Sequence, residues 1–184
     1  MTDFIRKLNY TSDTTAVMLD LNHILTNFAS WEPDNQLGLR HRINSPNQWK
    51  DSVGGLYDKV QKVVIATEFD FNKWNDNCPL YTKSILEELG KNEGVSWGRI
   101  RFMLSRPKTG LSMHTDAEPR YHLVIQTNDN CIFGECFKNS NVRSIGYHIP
   151  MDSHWYMIDT TREHFIYNGG WSPRIHLVCC PTTP

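Results

Sequence analysis

This 184-residue sequence has no long apolar run, and its charges almost balance. No stretch approaches the roughly 20 apolar residues that cross a bilayer as a helix, so a transmembrane segment is not expected. The formal net charge is −1, which removes the general electrostatic reason to expect nucleic acid or an anionic membrane as a partner. The N-terminus has an acid at Asp3 and no apolar segment behind it, so a secretory signal is not expected either.

Cysteine is scarce, and its spacing is not that of a metal site. The five cysteines are Cys78, Cys131, Cys136, Cys179 and Cys180, and neither CxxC nor the zinc-protease motif HExxH occurs. An odd number of thiols favours free cysteines in a reducing, cytoplasmic setting. Adjacent Cys179 and Cys180 would pair only with strain, and a Cys131–Cys136 cross-link remains the alternative.

Beyond residue 98 the chain consists of short segments rich in β-branched and aromatic residues, separated by Asn, Gly, Pro or Asp. The predicted strands are Arg99–Leu104, Leu111–Asp116, Arg120–Thr127, Cys131–Phe137, Val142–Ile149, Trp155–Asp159, His164–Tyr167 and Arg174–Cys180. Such regular spacing is typical of a sandwich or barrel. We expect one mainly β domain over 1–184, with an N-terminal extension of about 1–97 and a β-core of about 98–180.

The N-terminal extension is predicted to add one or two helices that pack on the larger sheet. The clearest helix runs from Leu80 to Leu89, where Ile85 and Leu89 share a face, and Gly90 is expected to end it. Residues 16–24 fit either a strand or a short helix.

His114 and Asp116 are the first candidate site residues. In an extended segment residues i and i+2 point to the same face, so this imidazole and this carboxylate can converge. A lone His-x-Asp is common by chance, and the case depends on a third ligand. His164 supplies it at the start of a predicted strand. Two histidines and one carboxylate are the ligands of non-haem Fe(II) oxygenases, and they also suit zinc.

Arg174 follows His164 by ten residues and opens an otherwise apolar strand. A buried guanidinium needs an acidic side chain or a bound anion, because an unpaired buried charge is costly. Its planar fork matches a carboxylate through two parallel hydrogen bonds. Both partners remain open at this point.

Four stretches together resemble the aspartyl/asparaginyl β-hydroxylase family: His114-x-Asp116, Arg120-Tyr121-His122-Leu123, Trp155…Ile158-Asp159…His164…Asn168 and Arg174-Ile175-His176-Leu177. The resemblance covers about residues 98–180, and the arginine ten residues after the distal histidine is its most specific element. It implies a double-stranded β-helix, the cupin-type jelly roll. It also implies an Fe(II)- and 2-oxoglutarate-dependent dioxygenase, which consumes O2.

The resemblance implies roles for six residues of the site. His114, Asp116 and His164 would be the iron ligands and the catalytic set. Arg174 would bind the C5 carboxylate of 2-oxoglutarate. His122, near the C1 carboxylate, and Arg120 would be further cosubstrate residues. The family's small hydroxyl residue near the C5 carboxylate falls near Met103 here, so Ser105 or Tyr147 are the candidate substitutes.

The expected reaction hydroxylates an unactivated C–H bond of an amino acid or a peptide residue, with succinate and CO2 as coproducts. Asp116 separates this chain from family members that hydroxylate epidermal-growth-factor-like domains and lack the carboxylate ligand. Candidate substrate residues lie in loops: Arg106, Lys108 and Arg120 for an anion, Glu118 for an ammonium group, and Trp31 and Trp171 as pocket walls. Two alternatives remain, a zinc-dependent hydrolase with the same ligands and a non-catalytic cupin-like metal-binding or sensor domain.

Overall fold

A computed structural model describes residues 3–58, 60–137 and 143–182 of the chain. The elements before residue 97 are, in chain order, β1 (Ile5–Thr11), α1 (Thr14–Asn27), β2 (Gln36–Gly38), β3 (Arg40–His41), β4 (Tyr57–Asp58), β5 (Val63–Val64), β6 (Lys73–Trp74) and α2 (Leu80–Glu93). The later strands are β7 (Trp97–Ser105), β8 (Thr109–His114), β9 (Arg120–Gln126), β10 (Cys131–Phe137), β11 (Arg143–Tyr147), β12 (His154–Ile158), β13 (His164–Asn168) and β14 (Arg174–Pro181). Residue 142, predicted to begin a strand, lies outside the described residues.

The chain divides into two compact units. The first unit comprises 1–14 and 104–177, and the second comprises 15–103 and 178–184. Two sheets make up the first unit, with strand orders β1-β12-β9-β14 and β11-β10-β13-β8. Antiparallel pairing of this kind, with neighbours far apart in sequence, is that of a jelly roll, so the predicted mainly β, cupin-like fold is confirmed. The predicted boundary near residue 97 stays a prediction.

The core of the first unit lies between its two sheets. Phe133 of β10 belongs to one apolar cluster with Val124 of β9 and Ile158 of β12, which are strands of the opposite sheet. Phe4 and Tyr156 complete most of this cluster. Each such side chain contributes about 1.5–3 kcal/mol by its burial, so the cluster holds together the strands that carry the candidate site.

The second unit contains the α-helices α1 and α2 and a short 3-10 helix, Glu68–Asp70. Helix α1 buries Val17, Leu21 and Ile24 at helical spacing, which resolves the ambiguous segment 16–24 as helix. Among the described residues, no helix is both long enough and apolar enough to cross a membrane. All five cysteines of the chain are free thiols.

Gly90 lies inside α2, although its position in the sequence predicts the helix end. The helix continues to Glu93 and ends at Gly94, whose φ of 67° is left-handed. A Cβ on Gly90 would lie 2.9 Å from Nε1 of Trp97, and that indole donates a 2.7 Å hydrogen bond to the carbonyl of Leu86. Gly90 therefore allows β7 to approach the helix closely, a tertiary demand that a local pattern does not reveal.

Candidate metal centre and anion site

Strand pairing brings the three predicted ligand residues together in the first unit. β8 and β13 run antiparallel with His114 opposite His164, and the two ring centroids are 4.2 Å apart. Asp116 lies two residues beyond the end of β8, where its backbone N–H donates a 2.8 Å hydrogen bond to the carbonyl of Thr160. The candidate ligand atoms of the three side chains all lie within 4.8 Å of one another. The arrangement is able to hold a cation, and the assignment of these residues as ligands stays a prediction.

Both histidines present the same ring nitrogen to this point. The Nδ1 of His114 lies 2.7 Å from the carbonyl oxygen of Ser112, and the Nδ1 of His164 lies 2.9 Å from that of Arg162. Because a carbonyl only accepts hydrogen bonds, each Nδ1 carries the proton and each Nε2 keeps a lone pair. Burial lowers the pKa of His164, which favours the neutral ring that binds metals.

The two carboxylate oxygens of Asp116 have different surroundings. The Arg120 guanidinium forms an ion pair with Oδ1. Oδ2 is buried, lies 3.6 Å from Nε2 of His164 and accepts no hydrogen bond from the described residues. An unsatisfied buried acceptor costs about 1–3 kcal/mol or more, and a bound cation would satisfy it. The donor set therefore fits Fe(II), and ligand type alone does not distinguish Fe(II) from zinc.

Arg174 begins β14 and is 7% exposed. Among the described residues, no carboxylate lies within ion-pair distance of its guanidinium, so the predicted acidic side chain is not its partner there. Burial lowers the pKa of Arg174 to about 10. Nη2 of Arg174 lies 3.1 Å from Nδ1 of His176. A buried guanidinium of this kind is able to bind an anion, and that role of Arg174 stays a prediction.

Two histidines join Arg174 to form what we call the basic cluster: Arg174, His176 and His122. The Nδ1 atoms of His122 and His176 are 3.3 Å apart, and both rings are buried. Burial, followed by the charge of Arg174, holds the pKa of His176 well below its ordinary value. Sequence reasoning named His122 as a cosubstrate residue and assigned no role to His176. The strand period could have indicated a role for it, because His176 is two residues after Arg174 and residues i and i+2 of a strand share a face.

Asn168, which ends β13, fixes the chain segment that leads to Arg174. Its side chain is fully buried, and its Nδ2 donates to the carbonyls of Ser105 and Ser172. Its Oδ1 accepts from Nδ2 of Asn128 and from the backbone N–H of Gly170. We expect Asn168→Ala to lower the free energy of unfolding by about 2–4 kcal/mol, because several buried groups would lose their partners together.

Chemical denaturation followed by circular dichroism measures this change. Asn130→Ala is the matched control, since Asn130 lies on an exposed turn of the same unit, and we expect it to change stability by no more than about 0.5 kcal/mol. Equal stability of the two variants would show that the Asn168 network contributes nothing measurable.

The predicted substrate residues are only partly brought together. In the first unit, the ammonium of Lys108 lies 4.1 Å from the ring centroid of Trp171, which is 86% exposed. Arg120 contacts Asp116 instead of lying free for an anion. Trp31 belongs to the second unit. Their roles toward a substrate stay predictions.

The fold and the geometry define a jelly-roll protein with a candidate His/Asp/His metal centre and a buried basic cluster. Comparison with protein families identifies it further. The chain belongs to the aspartyl/asparaginyl β-hydroxylase family, whose model matches residues 13–184. This confirms the family that the motifs of residues 98–180 resemble, and it extends the match over most of the N-terminal part.

Solved structures share the fold at low sequence identity. A prolyl-4-hydroxylase from Pseudomonas putida is 8% identical, with a TM-score of 0.52 over 98% of this chain and 92% of its own. A protein of the 2OG-Fe(II) oxygenase family from Burkholderia pseudomallei is 14% identical, with a TM-score of 0.46 over 55% of this chain. The match spans only 56% of that Burkholderia protein. At these identities the likeness concerns the fold alone. No curated protein sequence matches the chain significantly.

Proposed function

We propose that this protein is an Fe(II)- and 2-oxoglutarate-dependent dioxygenase that hydroxylates an unactivated C–H bond of an amino acid or a peptide residue. The overall reaction converts substrate, 2-oxoglutarate and O2 into hydroxylated substrate, succinate and CO2. Membership of the aspartyl/asparaginyl β-hydroxylase family supports a hydroxylation and a substrate of this class.

The observation that carries the proposal is the buried guanidinium of Arg174, which has no carboxylate partner in the described chain, in the same unit as the His/Asp/His group. A zinc hydrolase has no need of a second, anion-binding site built into its core. A dicarboxylate cosubstrate does need one, because its distal carboxylate must be held while its other end lies at the metal.

Some residues of the site would bind the metal, and others would orient those ligands or the cosubstrate. His114, His164 and Asp116 would hold the metal through Nε2, Nε2 and Oδ2, and the backbone carbonyls on both Nδ1 atoms keep the rings oriented. The Arg120 guanidinium restrains Oδ1 of Asp116, which leaves Oδ2 for the cation. Iron, when bound, supplies the oxidising chemistry with O2. Arg174 would bind and align 2-oxoglutarate through its distal carboxylate.

The test is succinate formation by the Fe(II)-loaded protein across a panel of free amino acids and short peptides, with mass spectrometry of the products. We expect succinate to rise in step with a product heavier by one oxygen atom. The zinc-loaded protein is the control, and it should form none.

An anaerobic titration distinguishes the alternatives. Addition of 2-oxoglutarate to the Fe(II)-loaded protein should produce a weak visible charge-transfer band, which a zinc hydrolase or a domain that does not bind 2-oxoglutarate lacks. A band without succinate for any panel member would favour the sensor domain. Absence of both the band and succinate would contradict the proposed function.

A further inference from the structure

The basic cluster contains a buried donor that no described group accepts. Nε2 of His176 is buried and has no hydrogen-bond partner, and the whole residue is only 1% exposed. Native interiors rarely leave such a group unsatisfied, because its loss of water is not compensated. A bound ligand would satisfy both this atom and the neighbouring guanidinium, which has no carboxylate partner among the described residues.

The neighbours of His176 determine which ring nitrogen carries the proton. Arg174 is a hydrogen-bond donor and cannot accept, so Nδ1 of His176 must accept at the 3.1 Å contact between them. A neutral imidazole that accepts at Nδ1 carries its hydrogen at Nε2. His176 therefore offers an N–H group from the same strand face as the guanidinium, two residues along β14.

We propose that His176 donates its Nε2 hydrogen to the distal carboxylate of 2-oxoglutarate, beside the guanidinium of Arg174. This assignment rests on the proposed function. A carboxylate has two oxygens and accepts several hydrogen bonds, so it can engage the arginine fork and the imidazole together. His176 would thus take the place of the family's small hydroxyl residue, whose position falls near Met103 in this chain. Methionine offers no donor there.

The two hydroxyl residues first considered for this contact are less suitable. The Tyr147 hydroxyl lies 3.2 Å from Oε2 of Glu135 and donates to it, so it is already used. Ser105 is half-buried, whereas Arg174 and His176 are buried together. His176, by contrast, contacts both other members of the basic cluster.

Calorimetric titration of the Mn(II)-loaded protein with 2-oxoglutarate tests the assignment without turnover. We expect His176→Phe, which keeps a ring and removes the donor, to weaken 2-oxoglutarate binding about 10- to 100-fold, the range for one hydrogen bond to a charged group. His176→Gln keeps an N–H at a similar distance and should recover most of the affinity. 2-Oxobutyrate lacks the distal carboxylate, so the same variants should bind it as the wild type does.

Control variants and the ligand comparison separate this role from a structural one. Ser105→Ala and Tyr147→Phe should leave 2-oxoglutarate affinity unchanged. Unaltered affinity in His176→Phe, or equal weakening for 2-oxoglutarate and 2-oxobutyrate, would overturn the assignment, as would a tenfold loss in Ser105→Ala or Tyr147→Phe alone. If His176→Phe does not fold, His176→Leu, which also lacks the donor, takes its place, and its loss of affinity must be confined to 2-oxoglutarate. Failure of the wild type to bind 2-oxoglutarate at all would instead reject the proposed function.

Discussion

His114→Ala is expected to abolish metal binding and to reduce succinate formation by at least about 10³-fold, since a bound metal contributes several kcal/mol of transition-state stabilisation. The reason is geometric, because among the described residues three ligand atoms, one from each side chain, converge within 4.8 Å at this site. Two remaining ligands would leave the cation largely hydrated and loosely placed. His114 is preferred to His164 for this test, because it is half-buried and its loss disturbs the core less.

The measurements are Mn(II) affinity by calorimetry and the Fe(II)–2-oxoglutarate absorption band. His154→Ala is the matched control, since His154 is also half-buried in the first unit and does not belong to the group of three candidate ligands. We expect the control to bind metal as the wild type does. A band of normal intensity in His114→Ala would show that the metal ligands are assigned incorrectly.

Arg174→Met is expected to weaken 2-oxoglutarate binding by about 10²- to 10³-fold and to leave metal affinity unchanged. Removal of one partner of a buried, hydrogen-bonded ion pair costs about 3–5 kcal/mol, because the other charge then stays buried and unpaired. Here that other charge would be the distal carboxylate of the cosubstrate. The effect should exceed that of any other single substitution in the basic cluster.

Arg174→Met should also affect stability, in the direction opposite to its effect on 2-oxoglutarate affinity. Replacement of buried charges by apolar side chains of similar volume is often neutral or stabilising by about 1–4 kcal/mol, and Arg174 has no described carboxylate to lose. We therefore expect the ligand-free Arg174→Met protein to unfold at an equal or higher denaturant concentration than the wild type. Loss of stability together with unchanged 2-oxoglutarate affinity would identify Arg174 as a structural residue. Arg174→Lys keeps the charge without the planar fork and should give an intermediate affinity.

Much of the candidate site follows from local pattern. The family motifs identify His114, Asp116, His164 and Arg174 by residue type and order, and the strand period explains why Arg174 and His176 share a face. The prediction was less accurate at the ends of elements. The strand predicted to reach Asp116 stops at His114, and the helix predicted to stop at Gly90 continues to Glu93. Both differences arise where a contact with a distant part of the chain replaces the local preference.

By itself, the sequence determined the class of fold, the family, and the residue types that a metal and a dicarboxylate would need. The class of fold follows from alternation and turn spacing, which each segment carries alone, whereas the family and the residue types follow from the resemblance of four motifs to a known family. Only the tertiary structure decided the partners: His164 opposite His114, Arg120 on Oδ1 of Asp116, and Arg174 with His176 instead of an acid. For the first contact the physical reason is that strand pairing joins residues 50 positions apart in the sequence, and no local period encodes which distant strand will lie alongside. The other two contacts join residues four and two positions apart, so local geometry allows them, and the structure decided which of the nearby partners is used.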